Sequence, residues 1–120
     1  MVIGLLDADG RILEINRAAL EGAGIRLDEI SGTPFWDARW WAVSSESRDE
    51  AREMVQRASR GEFVRLDVEV FGSAEGNQTI IVDYSLTPIR DTTGRVAFLL
   101  PEGRNITDKM YIVGGIDFNN

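Results

Sequence analysis

The chain has no cysteine and no histidine among its 120 residues. The first absence removes disulfides, thiolate metal sites and a cysteine nucleophile. The second removes the usual general base and the commonest protein ligand of zinc and haem. No serine therefore has a histidine to deprotonate it, and no glycine string stands in the strand-to-helix setting that cradles phosphate. Lys and Arg form no cluster, and the net charge is -7, so there is no electrostatic footprint for nucleic acid or an anionic membrane. A basic partner surface suits the chain better. No apolar run approaches the length of a membrane span, and the opening MVIGLL meets Asp7 too soon, without a basic region, to be a signal peptide. The expectation is a cytoplasmic, non-catalytic protein.

What is present is ordinary for a globular fold. With 43% hydrophobic and 28% charged residues, the chain is long enough for one domain burying roughly two thirds of its unfolded surface. Its centre of organisation is the stretch from Phe63 to Leu100. Three runs, Phe63 to Phe71, Thr79 to Ile89 and Arg95 to Leu100, are rich in β-branched and aromatic residues and read as an antiparallel meander. The first alternates, with Val64, Leu66, Val68 and Val70 on a dry face and Arg65, Asp67 and Glu69 on a wet one. In the other two, Ile80-Ile81-Val82 and Val96 to Leu100 put apolar groups on both sides, the pattern of strands covered on both faces. Asp67, Glu69 and Asp83 can share an exposed face. A solvated sheet surface explains them better than a site for a hard cation, and no metal site is expected.

Upstream, Val2 to Leu6, the turn Asp7-Ala8-Asp9-Gly10 and Arg11 to Ile15 read as a hairpin. The D-x-D-G string lacks the downstream ligands of a calcium loop, so it is read as a turn. The same turn grammar recurs at Asp91-Thr92-Thr93-Gly94. Asn16 precedes the short helical stretch Arg17 to Glu21, which Gly22 and Gly24 stop; capping is its simpler role and ligand contact the sharper one. Asp28-Glu29-Ile30 can form one more turn. Phe35, Trp36, Trp40 and Trp41 then concentrate all three tryptophans in six residues. Such a group closes a core, walls a pocket or anchors a partner, and closing the core is the simplest reading. Ser47 with Glu50 reads as a capping box, followed by the apolar stripe Ala51, Met54, Val55 and Ala58 and a stop at Gly61. Met54 is a core residue by that pattern, with ligand contact as its second reading.

The strings LLDADGRILEINRAAL (Leu5 to Leu20), SGTPFWDARWW (Ser31 to Trp41), RASRGEFVRLDVEV (Arg57 to Val70), VDYSLTPIRDTTGRV (Val82 to Val96) and LLPEGRNITD (Leu99 to Asp108), in that order, resemble the PAS domain, the sensory module of bacterial signalling proteins. They are most similar to the type found in sensor histidine kinases. The resemblance implies an α+β fold: a five-stranded antiparallel sheet, first strand paired with both second and last, with short helices packed on one face. It implies a sensory domain over residues 1–108, and it makes Asn105, Ile106, Thr107 and Asp108 the junction that hands strain in the sheet to an output helix. Residues 109–120 are then a C-terminal extension or truncated linker, since Tyr111 to Ile116 is β-branched and Gly-broken, poor helix material.

The function implied is regulation of a histidine kinase or other output domain in a two-component system. Haem held by histidine and cysteinyl flavin are excluded by composition, while flavin held without a bond is not. A small apolar or amphipathic ligand is expected between the tryptophan segment, the Met54 helix and Tyr84, a reading that a narrow or filled cavity would rule out. Its candidate contacts are Asn16, Phe35, Trp36, Trp40, Trp41, Met54 and Tyr84. The alternative is a ligand-free dimerisation module, a symmetric homodimer through an outer sheet face showing some of Ile3, Leu5, Ile81, Ile89, Ala97 and Leu99.

Overall fold

The computed structural model describes residues 1–108; the expectations for 109–120 lie outside the described residues. Strands β1 (Val2–Asp7) and β2 (Ile12–Ile15) form the N-terminal hairpin, and helices α1 (Arg17–Ala23) and α2 (Leu27–Ile30) follow. Two 3-10 turns, Phe35–Asp37 and Arg39–Trp41, carry the tryptophans. Helix α3 (Ser45–Ser59) leads into β3 (Val64–Ser73), β4 (Gln78–Arg90) and β5 (Val96–Asn105). The sheet order is β2-β1-β5-β4-β3, antiparallel throughout. The first strand thus lies between the second and the last, as the resemblance implied.

Local chemistry sets the two matching turns. In the first, Asp7 Oδ1 accepts from the amides of Asp9 and Arg11, each at 2.9 Å. In the second, Asp91 Oδ1 accepts from Thr93 at 2.8 Å and Arg95 at 3.2 Å. These carboxylates spend their lone pairs on backbone amides, the Asx-turn use of aspartate. Helix α3 begins earlier than a Ser47 box would place it. Ser44 is the N-cap, its hydroxyl accepting from the Ser47 amide at 3.0 Å. Ser44 stands on extended backbone while Ser47 and Glu50 are already helical, and only a residue outside the helix can turn its side chain back onto the first free N–H groups. The stripe Ala51, Met54, Val55 and Ala58 is buried as expected.

The inner sheet face and the helices enclose one core, with Leu6, Ile12, Leu86 and Leu99 fully buried. The apolar residues of the outer face, by contrast, are only half-covered within the chain: Ile3 is 38% exposed and Phe98 39%. Leu99 was expected on that outer face, and this is corrected: Leu99 points inward, Phe98 and Leu100 take the outer side, and Ala97, also expected outside, stands half-buried at the β4–β5 bulge. An unbroken apolar run carries no period, so the register decides. Pairing of β5 with β1 skips Gly4 and Leu5, beside Pro101, where proline has no N–H to give. Across the outer face, Arg65 donates to both Asp83 oxygens at 3.0 and 2.8 Å, with Arg104 3.6 Å away. These bonds hold the Asp83 carboxyl below the ordinary carboxylate range against the upward push of burial.

Candidate functional site

A cavity of about 60 Å³ lies between the inner sheet face and its roof. Its floor is Val2 and Gly4 of β1, Val68, Val70 and Gly72 of β3, Ile80, Val82 and Tyr84 of β4, and Pro101 and Gly103 of β5. Its roof is Ala18 and Ala19 with the aromatic trio Phe35, Trp40 and Trp41, and Ile15 of β2 adds to the sheet side. Small residues make room where backbones meet. A Cβ on Gly22 of α1 would stand 2.5 Å from the Gly72 carbonyl, so the glycine lets α1 lie directly on β3.

Of the sequence-predicted contacts, Phe35, Trp40, Trp41 and Tyr84 line the cavity together. The trio and the tyrosine interlock: Trp41 stands edge-on to Phe35 at 5.6 Å and to Tyr84 at 5.4 Å, and Phe35 is 5.8 Å from Trp40. Such tilted and edge-on pairs suit the ring quadrupoles. The Trp40 indole donates to the Ala19 carbonyl at 3.2 Å, tying the aromatic segment to α1.

Met54, Trp36 and Asn16 do not line the cavity. Met54 is buried in the core under α3, whereas the cavity is roofed by α1. Trp36 rests on the first hairpin turn, close to Gly10, with the Arg52 guanidinium 5.7 Å from its ring. Asn16 occupies the N-cap position of α1 but makes no capping bond. Its side chain accepts from Ile3 N–H at 3.1 Å and donates to the Met1 carbonyl at 2.8 Å, fastening β1 to the start of the helix.

Three polar side-chain groups belong to the aromatic part of the wall, and one of them, the Trp40 indole N–H, is already spent on the Ala19 carbonyl. Burial alone pushes the Tyr84 phenol up, so it stays neutral throughout the physiological range. The Trp41 indole N–H is buried and has no acceptor among the described residues. Leaving such a donor unmatched costs about 1–3 kcal/mol. At about 60 Å³ the cavity is smaller than the roughly 150 Å³ void known to take up a benzene in an apolar core, the narrow outcome that rules out a ligand held with the roof packed as it stands. A tricyclic flavin does not fit the side chains as they are packed.

The end of the described chain is fastened to the floor of this cavity. Beyond β5, Ile106 N–H donates to the Ile81 carbonyl at 2.9 Å. Thr107 Oγ1 accepts from Ile81 N–H at 2.8 Å and donates to Asn105 Oδ1 at 2.7 Å, and Asn105 Oδ1 also accepts from the Thr107 amide at 3.0 Å. Ile81 stands between the cavity-lining Ile80 and Val82. Thr107→Val keeps the shape and removes the hydroxyl, leaving Ile81 N–H without its acceptor. Amide exchange at Ile81 is expected to accelerate on the order of tenfold, matching a loss of about 1–2 kcal/mol, while exchange in α3 stays unchanged.

A curved five-stranded antiparallel sheet with short helices and an indole roof on one face is a PAS-type sensory fold, and the chain belongs to that family. The PAS fold family model matches residues 1–109. The sensor histidine kinase TmoS of Ectopseudomonas mendocina is 57% identical over 89% of this chain, and hybrid signal transduction histidine kinase D of Dictyostelium discoideum is 49% identical over 89%. The chain spans 11% and 7% of those two relatives, and their two sources do not confine the type to bacteria. The PAS domain of an HTR-like protein from Haloarcula marismortui superposes with a TM-score of 0.64 at 21% identity, covering 88% of this chain and 80% of that one, a likeness of fold. Among the described residues no helix is long and apolar enough to cross a membrane. The chain is a sensory signal-transduction module of the kind found in sensor histidine kinases.

Proposed function

We propose that this module regulates a histidine kinase output domain, in the cytoplasm, by capturing a small neutral ligand in the aromatic-walled cavity. The observation that carries this reading is the Trp41 indole N–H, buried on a residue of the cavity wall without an acceptor among the described residues. A ligand offering a lone pair or a π face satisfies that donor. A ligand shifts an equilibrium only through its differential affinity for two states, and a change from mostly off to mostly on takes about 5.5 kcal/mol. Here the two states are the collapsed cavity and one swollen by displacement of the aromatic roof. Because Ile80 and Val82 flank the Ile81 amide that holds Thr107, a ligand pressing on β4 moves the junction Asn105, Ile106, Thr107 and Asp108, and that is the signal passed to the kinase. Residues 1–108 are the sensory unit in this scheme.

Native mass spectrometry of the purified chain tests the reading. Retention of a small molecule, with quenching or blue shift of tryptophan emission on its return to stripped protein, is the expected result. Stripped protein whose emission ignores a panel of small neutral compounds, benzene included, would overturn it.

The half-exposed Ile3, Leu13, Phe98 and Phe63 favour a second reading, a homodimer through the outer sheet face whose dimerisation needs no ligand. That face carries Arg65 and Arg104 beside Asp67 and Glu102, and such mixed charges let it pair with its own two-fold copy. Light scattering that finds a monomer at high concentration removes this reading.

A further inference from the structure

Arg39 follows the first 3-10 turn and precedes the cavity-lining Trp40 and Trp41. Its guanidinium reaches the tip of the β3–β4 hairpin and donates to the Gly76 carbonyl from Nε at 3.0 Å and from Nη2 at 2.7 Å. The same group lies 4.0 Å from the centre of the Phe71 ring, a cation–π contact. The turn it grips is strained: Ala74 and Glu75 have φ of 50° and 56°, left-handed values that a Cβ disfavours. Backbone of this kind persists only where its surroundings over-determine it. On either side of the turn, Gly72 and Ile80 line the cavity.

Most other seams around the cavity are closed by backbone pairing or backbone contact, the unpaired step of β1 and β5 at Gly4, Leu5 and Pro101 excepted. The strands are laddered together, α1 meets the hairpin backbone-to-backbone at Gly22, and the Trp40 indole bonds α1. At the seam between aromatic segment and hairpin tip, the hydrogen-bonded closure is one exposed side chain drawn onto a carbonyl.

We propose that Arg39 is the latch of the cavity: ligand passes between the aromatic segment and the β3–β4 hairpin when the guanidinium leaves the Gly76 carbonyl and the left-handed turn relaxes. The passage of ligand rests on the ligand-binding reading above; the opening itself does not. It is measured without ligand, so a failure here leaves that reading standing, and a failure to retain any ligand leaves the latch standing.

The test is hydrogen exchange of the Trp41 indole N–H in the full chain, followed by NMR in wild type, Arg39→Ala and Arg39→Lys. The alanine variant is expected to speed exchange of that N–H and of the amides of residues 72–79 at least tenfold more than exchange of the β5 amides, which follow global stability. Lysine keeps the charge but loses the two-pronged grip, and its rates fall between the two. Equal acceleration everywhere assigns Arg39 a merely structural role and overturns the proposal. In wild type, exchange of the indole N–H is expected to depend only weakly on urea, as small openings do; a urea slope equal to that of global unfolding overturns the proposal without any variant.

Discussion

Gly24→Ala is expected to lower the unfolding free energy by roughly 2–5 kcal/mol, out of the 5–15 kcal/mol typical of a domain this size. Gly24 closes α1 with φ of 66°, its N–H turned back to the carbonyls of Glu21 and Leu20. Two costs act together there. A side chain in left-handed backbone costs about 1–2 kcal/mol. The new methyl would also run into the Glu75 carbonyl oxygen and stand 2.9 Å from its carbon, and since the obstruction is backbone it cannot swing aside, which adds the roughly 1–3 kcal/mol of an overpacked contact. Gly94→Ala isolates the first cost. Gly94 has φ of 86° in the β4–β5 turn with nothing within 4 Å of its would-be Cβ, so only the backbone penalty applies. Urea unfolding of the two variants separates the contributions. Equal losses would mean that α1 and the hairpin tip do not bear on each other, and the stiff edge of the cavity would go with them.

The physical reasons for what the sequence revealed and concealed differ element by element. Period-two alternation in β3 reads directly onto the sheet because one face meets water, and Val64, Val68 and Val70 are buried as read. The run Val96 to Leu100 is apolar at every position, so its inside and outside had to come from Pro101 and from the bulge between Ile89 and Arg90, features of pairing rather than of composition. Asn16 shows the limit of local reasoning. Its backbone is that of an N-cap, but its amide bonds a strand thirteen residues away, and one side chain cannot serve both. The site was half legible for a similar reason. Aromatic density marked Phe35, Trp40 and Trp41, whereas the long amphipathic α3 drew Met54 into the prediction although the shorter α1 roofs the cavity. Small residues at Ala18, Ala19 and Gly22 were the signal for that close approach. Arg39 was not singled out at all, because its partner is a backbone carbonyl 37 residues on, and a carbonyl leaves no mark in a sequence.

Trp40→Ala carries the other large effect. Trp40 is 6% exposed, packs on Phe35 and bonds Ala19; removing a buried indole from such a site costs about 3–5 kcal/mol. Unlike a truncation in a sealed core, this one enlarges a void that already exists, and the combined space exceeds what the native cavity offers. Benzene should therefore bind the variant and return part of the loss, about 2.7 kcal/mol at a concentration one hundred times its Kd. Trp36→Ala is the control. Trp36 belongs to the same aromatic segment but lies off the cavity, half-buried against the Gly10 turn, so its loss should be smaller and benzene should not reverse it. Thermal melts of both variants with and without benzene read the difference. If benzene rescues Trp36→Ala as well as Trp40→Ala, the compound is binding somewhere other than this cavity. If Trp40→Ala costs less than about 1 kcal/mol, the indole is surface decoration by the scale of buried truncations, and the roof that the ligand reading needs is not there.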